Sequence, residues 1–147
     1  NHARYGAFWL VKYLSAWFRH HPHVSVDFAC YPRKYYQFGK VLLGLEHGDK
    51  VKPDKLALTM AVEAPEKWAS TRYREWLRGH FHKAQNMFFP ASEEMGVNVR
   101  VIPALCPADQ WHILHAFVGN HRAAEGIYYH QEYGPAGNFP VFVDELP

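Results

Sequence analysis

Gly79-His80-Phe81-His82 is the stretch that decides how this chain is read. Two histidines at i and i+2 project to the same side of an extended segment. A glycine in front of them lets the backbone turn tightly and come close to whatever the imidazoles hold. Imidazole is the commonest metal-ligating side chain, so the run reads as half of a metal site. His47-Gly48-Asp49 lies upstream and offers His47 as a third ligand, and the chain opens on Asn1-His2. The ordered set Asn-His, then His-Gly, then Gly-His-x-His is far less expected by chance than a bare His-x-His.

The pattern around these motifs places them. Lys34 to Phe38 turns at Gly39-Lys40 into Val41 to Leu45, a hairpin whose second arm is nearly all apolar, as in a strand buried on both faces. His47 follows that arm at its C-terminal end, where open α/β sheets put ligand sites. Leu56 to Arg72 reads as helical, with Pro65 starting a new helix or kinking the old one. Arg74 to Leu77 is then a second strand that delivers Gly79 to His82 to the same edge as His47. Residues 5 to 19 carry Phe8, Leu10, Val11, Leu14 and Phe18 near helical spacing, ending before Pro22. Val24 to Val26, Val97 to Ile102, Ile127 to Tyr129 and Phe139 to Val143 are further strands by pattern, and Gly134 to Asn138 reads as a turn-rich loop.

At this point the chain resembles the C-terminal half of a calcineurin-like metallophosphoesterase. The blocks of that family run Asp-x-His, Gly-Asp-x-x-Asp, Gly-Asn-His-(Asp/Glu), His, Gly-His-x-His. Asn1-His2 matches the end of the third block, His47 the fourth, and Gly79 to His82 the fifth. The resemblance spans residues 1 to 82 by motif. Phage- and prophage-borne members are closest in texture, through Pro107-Ala108-Asp109-Gln110-Trp111-His112. The first two blocks, with their bridging Asp, do not occur, and Ala3 stands where the family usually has an acid.

The resemblance implies a layered αββα-type sandwich of class α/β. The expectation is that residues 1–147 form a single domain portion, about the C-terminal half of that fold, whose partner is the missing N-terminal half of the same domain. It also implies two divalent metal ions (Mn, Fe, Zn or Ni) sharing a bridging hydroxide, and hydrolysis of a phosphomonoester or phosphodiester, with nucleic acid the leading substrate. Carried over by motif, Asn1 is an amide-oxygen ligand to one metal together with His47 and His80, and His82 binds the other. His2 is not a ligand but sits over the phosphate, neutralising charge and protonating the leaving oxygen. Asp49 is a candidate acceptor for the far N–H of His47. By itself the chain, lacking the bridging acid, is expected to turn over little substrate. Two rival readings remain: a scaffold that has lost catalysis and serves as a binding module, and a mononuclear structural site made of His47, His80 and His82.

Composition is consistent with this and excludes other classes. A chain of 147 residues, 48% apolar, suits one domain with a real core. Its ten Phe, nine Tyr and five Trp belong in cores or interfaces, and part of that surface would pack on the missing half. A net charge of +2 is too small to argue for nucleic acid by itself. Cys30 and Cys106 suit reduced thiols in a cytoplasm better than a disulfide framework. No apolar run reaches the roughly 18 residues that span a membrane.

Other features read as structural. Of the eleven histidines, His20-His21-Pro22-His23 closes a helix, where imidazolium suits the negative end of the dipole. Gly119-Asn120-His121 repeats the Asn-His pair but falls after Gly-His-x-His, with Arg122 in place of the acid, and reads as a turn. Lys50, Lys52, Lys55, Arg72, Arg74 and Arg78 flank the two motifs. They read as a solvated mixed-charge surface, with a groove for a polyanion as the alternative. Trp111 reads as core, with a place beside the site as its alternative.

Overall fold

Residues 4–80, 85–90, 96–107, 114 and 122–143 are described by the computed structural model of the chain. The chain divides into two compact units, residues 1–32 and 33–147. In the first, α1 (Arg4–Trp17) is the helix that the spacing predicts. Phe18 N–H still bonds Leu14 O, and Arg19 Nη1 donates to the Ala16 carbonyl at 3.0 Å. One carbonyl of this helix end is thus met by the Arg19 guanidinium. His20 accepts from Arg19 Nε, and His21 accepts from the backbone N–H of His23. Val24–Val26 is not a strand. Three residues offer too few ladder bonds to hold one in place.

The second unit is built on a mixed sheet of order β1-β2-β3-β5-β4. β1 (Arg33–Phe38) and β2 (Val41–Glu46) form the expected hairpin, with Phe38 paired to Val41. β2 then runs parallel to β3 (Tyr73–Arg78), a pairing that needs a crossover. A 3-10 turn (Pro53–Lys55) and two helices supply it: α2 (Leu56–Glu63) and α3 (Pro65–Ser70), separated at Ala64-Pro65 as proline at a helix start requires. β5 (Gly96–Val101) pairs parallel with β3 on its other side, and β4 (Gln85–Pro90) closes that edge antiparallel. β4 was not expected, since Gln85-Asn86 and Pro90 dilute a three-residue apolar run.

One face of the sheet meets α2. Leu42, Leu56, Ala57, Met60, Trp76, Val97 and Val99 form the core there, with Tyr35, Val51 and Trp68 packed against it. Each large side chain so buried contributes about 1.5–3 kcal/mol. Trp76 satisfies its indole N–H on Leu56 O at 2.9 Å. It lies across from Gly44, where a Cβ would fall 2.5 Å from the Trp76 ring, so the core admits the indole only beside a glycine. β2 is buried as far as Gly44, and its end opens at Leu45, 39% exposed.

By strand alternation Tyr73, Glu75 and Leu77 point to the opposite face. There lies a two-stranded ribbon of β6 (Ala123–His130) and β7 (Gly134–Phe142). Gly134–Asn138 is therefore the first half of a strand and not a loop; the turn is at Gln131–Tyr133. Glycine and proline there mark a bulge between Tyr128 and Tyr129 in an edge-type ribbon, which tolerates both. His130 Nδ1 caps the turn by accepting the N–H groups of Glu132 and Tyr133. Helices, sheet and ribbon make a layered α/β structure, as the sequence implied. Among the described residues no helix is long and apolar enough to cross a membrane.

Glu63 at the end of α2 ties the crossover to β1. It accepts from Arg33 Nε at 2.9 Å and from Tyr35 Oη at 2.7 Å. The Arg33 hydrogen bond, against opposing burial, holds the Glu63 carboxyl below its ordinary range. The group is about a third exposed, so Glu63→Gln is expected to cost no more than about 1 kcal/mol. A depressed folded pKa means the contribution is present near neutrality and is lost as pH falls below about 4. Thermal melts from pH 7 to 3 should converge for parent and variant; a gap that widened toward acid would refute the pairing.

Candidate metal centre

Parallel pairing of β2 with β3 puts Glu46 beside Arg78 at the C-terminal ends of both strands. His47 is the next residue of one chain segment, and Gly79-His80 the next of the other. The two imidazoles meet with ring centres 5.0 Å apart, inclined at 65°. His47 is exposed and His80 half-buried. The loops are joined directly: Gly79 N–H donates to His47 O at 3.2 Å. Gly48 has φ +104°, and a Cβ on it would fall 2.8 Å from Gly79 O. A side chain at Gly48 would drive the two loops apart.

The left-handed residue of the second loop is not Gly79 but His80, at φ +72°. The expectation that the preceding glycine makes the turn is corrected accordingly, while His82 lies outside the described residues. His80 lies beyond the end of β3, so strand alternation does not govern it. A Cβ on Gly79 would meet His47 O only at ordinary contact, 3.7 Å. A non-glycine residue held left-handed costs on the order of 1–2 kcal/mol. Here that conformation turns an imidazole toward His47.

Beneath the histidines lies a buried ion pair. Arg78 Nη2 is 2.9 Å from Glu46 Oε1, with side chains 0% and 6% exposed. The same nitrogen donates to Gly48 O at 2.8 Å and Val51 O at 2.7 Å. Burial pushes the Glu46 carboxyl above its ordinary range while Arg78 pulls the other way. Arg78 therefore does not belong to a solvated surface, and neither does Arg74, which donates to Trp68 O and Thr71 O and stacks 4.0 Å from the Trp68 ring. Both read locally like the exposed Arg72 on the same segment, so nothing in their own stretch distinguishes them. The one signal was symmetry: an acid directly before His47 and a base directly before Gly79. Lys50, Lys52 and Lys55 are exposed.

Asp49 pairs with Lys50, its Oδ2 3.4 Å from Nζ. Burial works against the charge, but the Lys50 ammonium and, more weakly, His47 hold the carboxyl below its ordinary range. Asn1, His2, His82, Trp111, His112 and Gly119-Asn120-His121 lie outside the described residues. Among the described residues no group of three or more His, Cys, Asp or Glu side chains converges. The spacing of the His47 and His80 rings is compatible with one shared ion. With metal–nitrogen bonds of about 2.0–2.1 Å and the ring centre about 1.1 Å further on, two imidazoles at about 90–110° have centres roughly 4.5–5.3 Å apart. The observed spacing falls within that interval.

No protein-family model matches the chain, and no curated protein matches it. Among solved structures it is similar to wild-type Vps29 of Entamoeba histolytica, complexed with Zn2+. The identity is 15%, over 81% of this chain and 67% of that one, with a TM-score of 0.42. At that degree of likeness the site rests on its own geometry.

Proposed function

We propose that His47 and His80 are ligands of a divalent-metal centre that hydrolyses a phosphate ester, of the kind found in calcineurin-like metallophosphoesterases. The observation that carries this is the meeting of the two imidazoles at the C-terminal edge of paired parallel strands. Neutral imidazoles suit Mn, Fe, Zn or Ni, and availability decides among them. A bound ion pair would supply an acidified water and neutralise phosphoryl oxygens. By motif order His82 serves a second ion and Asn1 contributes its amide oxygen beside His47 and His80. By the same motif order His2 would sit over the phosphate, where its imidazolium would offset charge and give a proton to the leaving oxygen. Asp49, two residues past His47, would accept the far N–H of the His47 ring.

Calorimetric titration of the chain with Zn2+ and Mn2+ tests the ligand set. Binding is expected in the parent and expected to fall at least about 100-fold in His47→Ala and His82→Ala, as loss of one ligand implies. Affinity unchanged in both variants would refute it. Because the described pair also suits a mononuclear structural site, stoichiometry and assay are read together. Two ions per chain with metal-dependent cleavage of a phosphodiester by the full-length protein support the hydrolase, whereas one ion and no cleavage support the structural site.

A further inference from the structure

We infer that Arg78 is the positioning residue that holds His47 beside His80. Its guanidinium is wholly buried, yet it reaches past its cross-strand partner Glu46 to the carbonyls of Gly48 and Val51. Those two carbonyls bracket the loop that leaves His47. His80 itself is only two residues from Arg78, with Gly79 N–H bonded to His47 O. The backbone of Arg78 is fixed as well, since its carbonyl accepts Ile102 N–H from the β5 exit at 2.7 Å. The Arg78 side chain therefore ties the His47 loop to β3, while backbone bonds join the two histidine loops and hold Arg78 to the β5 exit.

The geometry separates two roles of the guanidinium. Its charge compensates the buried Glu46 carboxylate, which concerns stability. Its Nη2 nitrogen holds both carbonyls, which fixes the path of the His47 loop; a lysine ammonium ends one bond short of that atom and does not reproduce the contact. For its effect on metal affinity the inference rests on the ligand assignment proposed above. For its effect on ring placement it stands on the metal-free chain.

The experiment uses Arg78→Lys and the charge-cancelling pair Glu46→Gln/Arg78→Met. In metal-free parent chain a ring-to-ring nuclear Overhauser effect is expected between His47 and His80. Both variants are expected to lose it while keeping the core resonances of Trp76 and Val99. Zn2+ affinity should fall about 10–100-fold in each, the range found when groups behind metal ligands are removed. The paired variant should melt close to the parent, because no buried charge is left alone. A role in stability only would restore affinity together with melting, and that result would overturn the inference. So would a ring-to-ring effect retained in Arg78→Lys. If the double variant does not fold, Arg78→Lys decides the matter by itself. A parent that shows the ring contact but binds no metal sinks the ligand assignment and leaves the positioning role to the resonance test.

Discussion

Replacing His80 with glycine is expected to leave the fold as stable as the parent while removing divalent-metal binding. His80 sits at φ +72°, where a side chain costs on the order of 1 kcal/mol and glycine costs nothing. Against that gain stand the edge contact with the His47 ring, worth about 0.5–1 kcal/mol, and the greater freedom of glycine in the unfolded chain, about 0.5–1 kcal/mol. The terms nearly cancel. His80→Ala keeps the strained backbone and loses the same ring but escapes the unfolded-state term, so it should be the less stable of the two by up to about 0.5 kcal/mol. Both should bind Zn2+ at least about 100-fold more weakly, since one ligand of four is roughly a quarter of the 10–16 kcal/mol of a full site. Melting curves and Zn2+ titrations of the two variants side by side separate the causes. A glycine variant less stable than the alanine one would mean that the left-handed turn is not strained. Retained affinity in either would remove His80 from the ligand set.

That contrast also shows what the sequence made legible. The hairpin into Val41–Glu46, the break at Pro65 and the strand into Arg78 follow from runs of apolar residues and one proline. Such signals are local, and each acts on its own few residues. Because β2 and β3 are consecutive and joined by helices, parallel pairing and a shared C-terminal edge follow, and with them the meeting of His47 and His80. The backbone state of His80 was not legible, because a glycine beside it offered the more obvious turning point. Nor was the burial of Arg78 or Glu75, whose neighbours Arg74 and Glu46 are also charged. What singles them out is a partner elsewhere in the chain: Val51 for Arg78, Tyr129 for Glu75. The first half of β7 was hidden for the converse reason. Glycine and proline there serve a bulged two-stranded ribbon in which, among the described residues, β7 pairs with β6 alone.

Glu75→Ala is expected to be the most destabilising single substitution on the ribbon side of the sheet, at about 3–5 kcal/mol. Glu75 is 1% exposed on a strand that otherwise carries Trp76 into the core. Its carboxylate accepts from Asn98 Nδ2 at 2.5 Å, from Arg100 Nε at 2.8 Å and from the Tyr129 hydroxyl. Arg100 in turn reaches Glu125 Oε1 at 2.8 Å. One acid on β3 is therefore an acceptor shared by β5 and β6, and truncating it leaves a partly buried guanidinium, amide and phenol each short of a partner. The loss would approach the whole stability of a small domain, about 5–15 kcal/mol.

Glu75→Gln keeps the shape and one acceptor oxygen, and should cost about 1–3 kcal/mol. Burial, with Glu75 second, pushes the Tyr129 hydroxyl far above its ordinary range. Below about pH 10 both folded and unfolded chains keep that proton. Above it the unfolded chain releases the proton and the folded one does not, so stability should fall with rising pH from there. Tyr129→Phe should cost about 1 kcal/mol at neutral pH and flatten part of that alkaline slope. Denaturant melts at pH 7 and pH 10.5 read all three variants. A Glu75→Ala chain that unfolded at nearly the parent's midpoint would mean that apolar contacts alone hold the ribbon on the sheet, and the polar network would then specify its register rather than its stability.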